Sequence, residues 1–122
     1  MLIGIDIVDI ERIRDTAVRT PRFLDRVFTK QELNYCFSKS NPYPSLAARW
    51  AAREAFRKLD SVFSSGILFQ EVEVFCREDG RPELLIHGTA MERCREQGIY
   101  CLAISLSHSK SQAVAAVIAT KG

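Results

Sequence analysis

The sequence has no C-x-x-C pair, and neither of its two histidines stands at zinc-ligand spacing from Cys36, Cys76, Cys94 or Cys101. A disulfide framework and a structural zinc site are therefore not signalled, and reduced thiols are expected. No segment reaches the roughly 18 apolar residues that a membrane span needs. The N-terminus MLIGIDIVD lacks a basic leader region and carries Asp6 inside its apolar stretch. The expectation is a cytoplasmic protein, neither exported nor held at a membrane. There is little charge bias either: 17 basic residues face 15 acidic ones, for a net charge of +2, too balanced for a chain that lives by coating nucleic acid. Repeats, low-complexity tracts and linkers are absent. A length of 122 residues suits one compact domain, residues 1–122, with no room for a separate cofactor domain. Since 47% of the residues are hydrophobic and so short a chain buries only about two-thirds of its unfolded surface, some apolar surface is left for self-association.

What is present reads as helices first and strands later. Leu2 to Val8 alternates, which puts Ile3, Ile5 and Ile7 on one face of a strand and Leu2, Gly4, Asp6 and Val8 on the other. Asp9 is placed to cap a helix through Ile10, Ile13 and Ala17 that ends before Thr20-Pro21, and a short helix follows from Arg22 to Phe28. Thr29 and Glu32 stand at capping-box spacing ahead of a helix over Gln31 to Phe37. Ser45 to Leu59, rich in alanine and free of glycine and proline, predicts the longest helix. Val72 and Val74 begin a hairpin that turns at Glu78-Asp79-Gly80-Arg81-Pro82 and returns over Leu84 to Ile86. Thr89 to Gln97 predicts a helix closed by Gly98, and Ile99 to Ser105 and Ala113 to Ala119 predict two strands around a polar turn, Ser107 to Ser111. The order favours an α+β fold, with helices mainly in the N-terminal half and an antiparallel-rich sheet.

Four constellations bear on chemistry. Arg49, Arg53 and Arg57 recur every fourth residue of the long helix, a guanidinium stripe that faces solvent or an anion. Glu54 lies off that stripe beside apolar surface, either as a ligand or as an i, i+4 partner of Lys58. Asp6, in a run of Ile, Gly and Val, needs hydrogen bonds, a cation or water. Two separate carboxylates near arginine and lysine are what a magnesium-phosphate site requires, because magnesium takes one or two carboxylates and completes its shell with water and phosphate oxygens. The segment SLSHSKS sets Ser105, Ser107 and His108 at a strand end. It has no G-x-S-x-G elbow, so a hydrolase triad is rejected and His108 reads as a phosphate or base-edge donor. His87, within ELLIHG, reads as an ordinary strand residue. Between Arg12 and Lys30, six basic residues stand against Asp15 and Asp25, a solvated helix face or a docking surface for an acidic macromolecule.

Taken together, GIDIVDIERI (4–13), RFLDRVFTKQEL (22–33), LAARWAAREAFRK (46–58), EDGRPEL (78–84) and SLSHSKSQAVAAVI (105–118) resemble the holo-acyl-carrier-protein synthase family of phosphopantetheinyl transferases. The resemblance implies the phosphopantetheinyl transferase fold, a homotrimer with its active sites at subunit interfaces, and transfer of 4'-phosphopantetheine from coenzyme A to a serine of apo-acyl carrier protein for fatty acid biosynthesis, with release of 3',5'-ADP. It implies that Asp6 and Glu54 bind Mg2+ and, with Lys58, carry catalysis. Arg49, Arg53, Lys58, Pro82 and His108 fall at coenzyme A contacts, and Arg12, Arg19 and Arg22 at the carrier-protein docking helix. Two positions depart from the family pattern. Arg53 replaces the usual lysine, putting a planar fork where a point charge is expected, and the glycine-rich loop after the long helix is here Asp60-Ser61-Val62-Phe63-Ser64-Ser65-Gly66, which limits close backbone approach to a phosphate. A trimer that binds without transferring, or a nucleotide phosphatase with the same metal site, are the alternatives.

Overall fold

The structure is a computed structural model that describes all residues 1–122. Strand β1 (Leu2–Asp9) is followed by four helices, α1 (Ile10–Arg19), α2 (Phe23–Val27), α3 (Lys30–Phe37) and α4 (Tyr43–Arg57). After two short 3-10 turns come β2 (Val72–Cys76), β3 (Pro82–Ile86), α5 (Gly88–Glu96), β4 (Ile99–His108) and β5 (Gln112–Lys121). The strands form an antiparallel sheet in the order β1-β5-β4 and a separate β2-β3 hairpin. This is the α+β architecture read from the sequence.

Residue size decides how the layers meet. The central strand β5 buries Ala113, Ala115, Val117 and Ala119, and α4 buries Ala47, Ala48, Ala51, Ala52 and Ala55. Alanine on alanine lets the helix axis approach the sheet closely, where larger side chains would hold it off. Gly4 takes this to the limit, since a Cβ built there would stand 1.9 Å from the carbonyl oxygen of Ala55. Strand β1 therefore rests backbone to backbone on the last turns of α4. The inward residues of β1 are Leu2, Gly4, Asp6 and Val8, and Ile3, Ile5 and Ile7 share the opposite face, where they remain 66%, 60% and 60% exposed.

Local signals were met with a few shifts. The capping box forms as expected, with Thr29 Oγ1 accepting from the Glu32 amide and the Glu32 carboxylate accepting from the Thr29 amide. Asp9 does not cap α1 with its side chain: its carboxylate accepts from Gln112 Nε2, and the Ile10 amide donates to the Ser111 carbonyl. Helix α4 starts two residues early, at Tyr43, because Pro42 and Pro44 fall where the first turn has no amide to lose. Strands β4 and β5 run further than their apolar cores indicated, so Ser107 and His108 close β4 and the turn shrinks to Ser109–Ser111.

The largest revision concerns the arginine row. Arg49 and Arg53 are 4% and 1% exposed, so the row is no solvent-facing stripe. The Arg53 guanidinium pairs through both terminal nitrogens with the Glu32 carboxylate, its Nε donates to the Phe69 carbonyl at 2.9 Å, and it lies over the Phe28 ring. Glu32 in turn accepts from the Val74 amide. Arg53 thus ties α3, α4 and β2 together inside the protein, and the expectation that it contacts coenzyme A is corrected on that ground. His87 is likewise more than a strand residue, since it precedes α5 and places Nε2 2.9 Å from Glu73, whose other oxygen accepts from the Thr29 hydroxyl.

Burial pushes the Cys36 thiol up from its ordinary 9.0 to about 11, partly offset by Arg49. The unfolded thiol ionises first as pH rises, so the stability this group confers is whole below pH 9.0 and falls between there and about 11. Near pH 10 the loss is about 1 kcal/mol. Urea titrations of wild type and Cys36→Ala at pH 8 and 10 check it: the alkaline loss is expected to be smaller in the variant, and equal losses would refute it.

Candidate functional site

The site begins with where β1 delivers Asp6. Two residues beyond Gly4, on the same inward face, Asp6 passes the end of α4 with its side chain 17% exposed. Lys58 caps that helix, and its Nζ donates to Asp6 Oδ1 at 3.0 Å and to the Ile5 carbonyl at 3.2 Å. Glu54 is one turn earlier on α4 and so borders the same surface. Its carboxylate lies 3.9 Å from Arg57 Nε and is 31% exposed. The i, i+4 pair of Glu54 with Lys58 is not formed, because the lysine reaches across to Asp6. Residues separated by half the chain thus come to one helix end, where Lys58 contacts Asp6 and Glu54 lies one turn back along α4.

The chemistry of this donor set suits magnesium. Its anionic donors are hard carboxylate oxygens, and no cluster of three or more His, Cys, Asp or Glu side chains is present to cage an ion without help. A site offering two carboxylates fits an ion that takes the rest of its shell from water and phosphate.

A second group lies on the other side of α4. A cleft of about 480 Å³ is walled by Tyr35 of α3, Lys39 just after it, Ser45 and Arg49 of α4, and Ser107 and His108 at the end of β4. The Arg49 guanidinium stacks 4.5 Å from the Tyr35 ring centre and donates to the Ser45 carbonyl, yet its Nε is buried without a partner. An orphaned buried donor beside a lysine and a histidine marks a place for an anion. The sequence reading named Arg49 and His108 but missed Tyr35 and Lys39, one in α3 and one in the turn that follows it, which carry no signal until that helix is packed.

Other expected residues fall elsewhere. Pro82 opens β3 opposite Cys76 and is not among the residues that line this cleft. Arg12, Arg19 and Arg22 are all exposed and form no ion pair. The loop that departs from a glycine-rich pattern is anchored instead by arginines: Arg57 donates to the Ser64 carbonyl and Arg93 to those of Val62 and Ser65, while Phe63 packs 4.7 Å from the Phe56 ring. Its backbone is held by side chains from outside it.

Comparison with known proteins shows the family and the fold. The family model of the 4'-phosphopantetheinyl transferase superfamily matches residues 2–117. A holo-[acyl-carrier-protein] synthase of Halothermothrix orenii is 43% identical over 121 residues, covering 98% of this chain and 97% of that protein. Among solved structures, holo-[acyl-carrier-protein] synthase from Neisseria meningitidis superposes with a TM-score of 0.83 at 31% identity, covering 99% of this chain and all of the other. The Helicobacter pylori synthase in complex with coenzyme A gives 0.83 at 28% identity, covering 98% of this chain and 100% of that one. With its fold, its full length and its sequence all matched, the chain belongs to the holo-[acyl-carrier-protein] synthase family of the 4'-phosphopantetheinyl transferase superfamily.

Proposed function

We propose that this protein transfers the 4'-phosphopantetheine group of coenzyme A to a serine of apo-acyl carrier protein, serving fatty acid biosynthesis in the cytoplasm. The observation that carries this reading is the contact of Lys58 with Asp6 at the end of α4, one turn beyond Glu54. The serine oxygen bonds to the β-phosphorus as its proton passes to water, the bond from that phosphorus to the bridging oxygen breaks, and 3',5'-ADP leaves with the electron pair. Such a reaction asks the protein mainly to position reactants and balance charge. Asp6 and Glu54 are the residues that would hold Mg2+, which when bound neutralises diphosphate charge. Lys58 supplies a mobile ammonium beside them, and Arg49 and His108 bind phosphate in their cleft. The free guanidinium groups of Arg12, Arg19 and Arg22 steer the acidic carrier protein.

Within one chain the two groups do not share a cavity. Arg49 and Glu54 are about 140° apart around α4. Asp6 stands on edge strand β1 and His108 on edge strand β4, with β5 between them. A site shared between protomers resolves the separation, with the carboxylates of one subunit facing the cationic cleft of the next and Pro82 reaching the nucleotide at the same junction. The surface for assembly is the uncovered sheet face, where Ile3, Ile5 and Ile7 pair in register with Ile118, Ala116 and Val114. A contiguous apolar strip of this kind fits a subunit contact, and the family resemblance makes the assembly a homotrimer. Ile5→Lys, which buries no new group in the monomer, is expected to yield folded monomers in sedimentation velocity; an unchanged assembly would place the contact elsewhere.

The activity itself is tested by incubating the protein with coenzyme A, magnesium and an apo-carrier protein, followed by intact-mass spectrometry. The carrier is expected to gain the phosphopantetheine arm. A carrier of unchanged mass, with or without phosphate release from coenzyme A, would refute transfer.

A further inference from the structure

We infer that Lys58 is a tethered competitor for the divalent cation at Asp6, so that a bare ion binds weakly and a diphosphate relieves the competition. The inference rests on the magnesium reading above. Lys58 Nζ is 3.0 Å from Asp6 Oδ1 and 3.2 Å from the Ile5 carbonyl, and so uses the oxygen an arriving ion needs. An ammonium and a divalent cation repel, and both cannot sit against one carboxylate oxygen without loss. An ion that takes Oδ1 must therefore displace the lysine.

The surroundings make that exchange inexpensive but not free. Lys58 is 57% exposed on a four-carbon stem at the helix cap, so it can swing into solvent with little repacking. Asp6 is far less exposed, at 17%, and without the ammonium would keep a carboxylate with reduced hydration. The pair thus holds the Asp6 side chain in one orientation until a stronger cation arrives. No other basic side chain forms an ion pair with Asp6, and Glu54 has only the distant Arg57 contact. An ion arriving with a diphosphate brings acceptor oxygens for the displaced ammonium. Metal and diphosphate then assist one another, and by linkage each tightens the other's binding equally.

Manganese, which reports its own binding by electron paramagnetic resonance, provides the test in wild type, Lys58→Met, Lys58→Arg, Lys121→Met and Asp6→Asn, with circular dichroism to show that each is folded. Lys58→Met is expected to tighten Mn2+ binding by about two- to fivefold, the worth of a partly exposed ion pair. Lys58→Arg keeps the charge and shows no such gain, and Lys121→Met, remote from Asp6 on β5, leaves affinity unchanged. Saturating coenzyme A is expected to tighten Mn2+ in wild type by a larger factor than in Lys58→Met. Equal or weaker Mn2+ binding by Lys58→Met, or a gain matched by Lys121→Met, overturns the competitor role while loss of binding in Asp6→Asn upholds the metal site. Wild-type binding by Asp6→Asn overturns both.

Discussion

Asp6→Asn and Glu54→Gln are each expected to lower the rate of arm transfer by about 10²–10³-fold, the scale set by removing one preorganised electrostatic contact in a transition state. Both substitutions preserve shape and remove one negative charge, so far-UV spectra and assembly state should match wild type. The site geometry adds a sharper expectation. If the carboxylates of one protomer work with the cationic cleft of its neighbour, an inactive Asp6→Asn protein and an inactive Arg49→Gln/His108→Ala protein contain complementary halves. Remixing them after dissociation should restore about a quarter of wild-type activity, because one interface in four then carries two intact halves. Stopped-flow or mass-based transfer assays read both results. Full activity in either single variant would remove Asp6 or Glu54 from the reaction, and a mixture no better than its components would place each site within one chain.

The second large effect is on stability. Arg53→Ala leaves Glu32 buried, charged and without its main partner, and breaking a buried pair in this way costs about 3–5 kcal/mol. For a chain of this length that lowers the melting temperature by roughly 10–20 °C. Arg53→Lys should fall between, since an ammonium cannot serve both Glu32 oxygens and the Phe69 carbonyl together. Glu32→Gln combined with Arg53→Met should cost less than the sum of the two, because the charge and its partner leave together. Calorimetry measures these shifts, and the KM for coenzyme A in Arg53→Lys separates the two roles considered for this residue. An unchanged melting temperature with a raised KM would return Arg53 to the nucleotide.

The contrast between Arg53 and Arg49 shows why spacing along a helix could not assign them. Both occupy the same stripe by periodicity, yet one is satisfied by a glutamate from α3 and the other keeps an unpartnered nitrogen beside a cleft. The difference lies in which element packs against each. The loop after α4 makes the same point. Its few glycines suggested a backbone kept from close approach to a phosphate, and only the structure shows Arg57 and Arg93 holding its carbonyls from neighbouring helices. Lys58 could pair with Glu54 by sequence distance, and the close seat of Gly4 on Ala55 brought Asp6 within reach instead.

By itself the sequence determined the elements and their order, because alternation, capping boxes, proline and glycine act within a few residues. It also marked Asp6 and Glu54, since a carboxylate beside apolar neighbours stands out wherever the chain goes. Tertiary structure alone decided that Asp6 is brought to Lys58 at the end of α4, that Arg53 is interior, that Tyr35 and Lys39 line the cleft beside Arg49, and that the isoleucines of β1 face outward. These are matters of which surfaces touch. They follow from the close approach that glycine and alanine permit between α4 and the sheet, a property of the packed pair that neither segment carries alone.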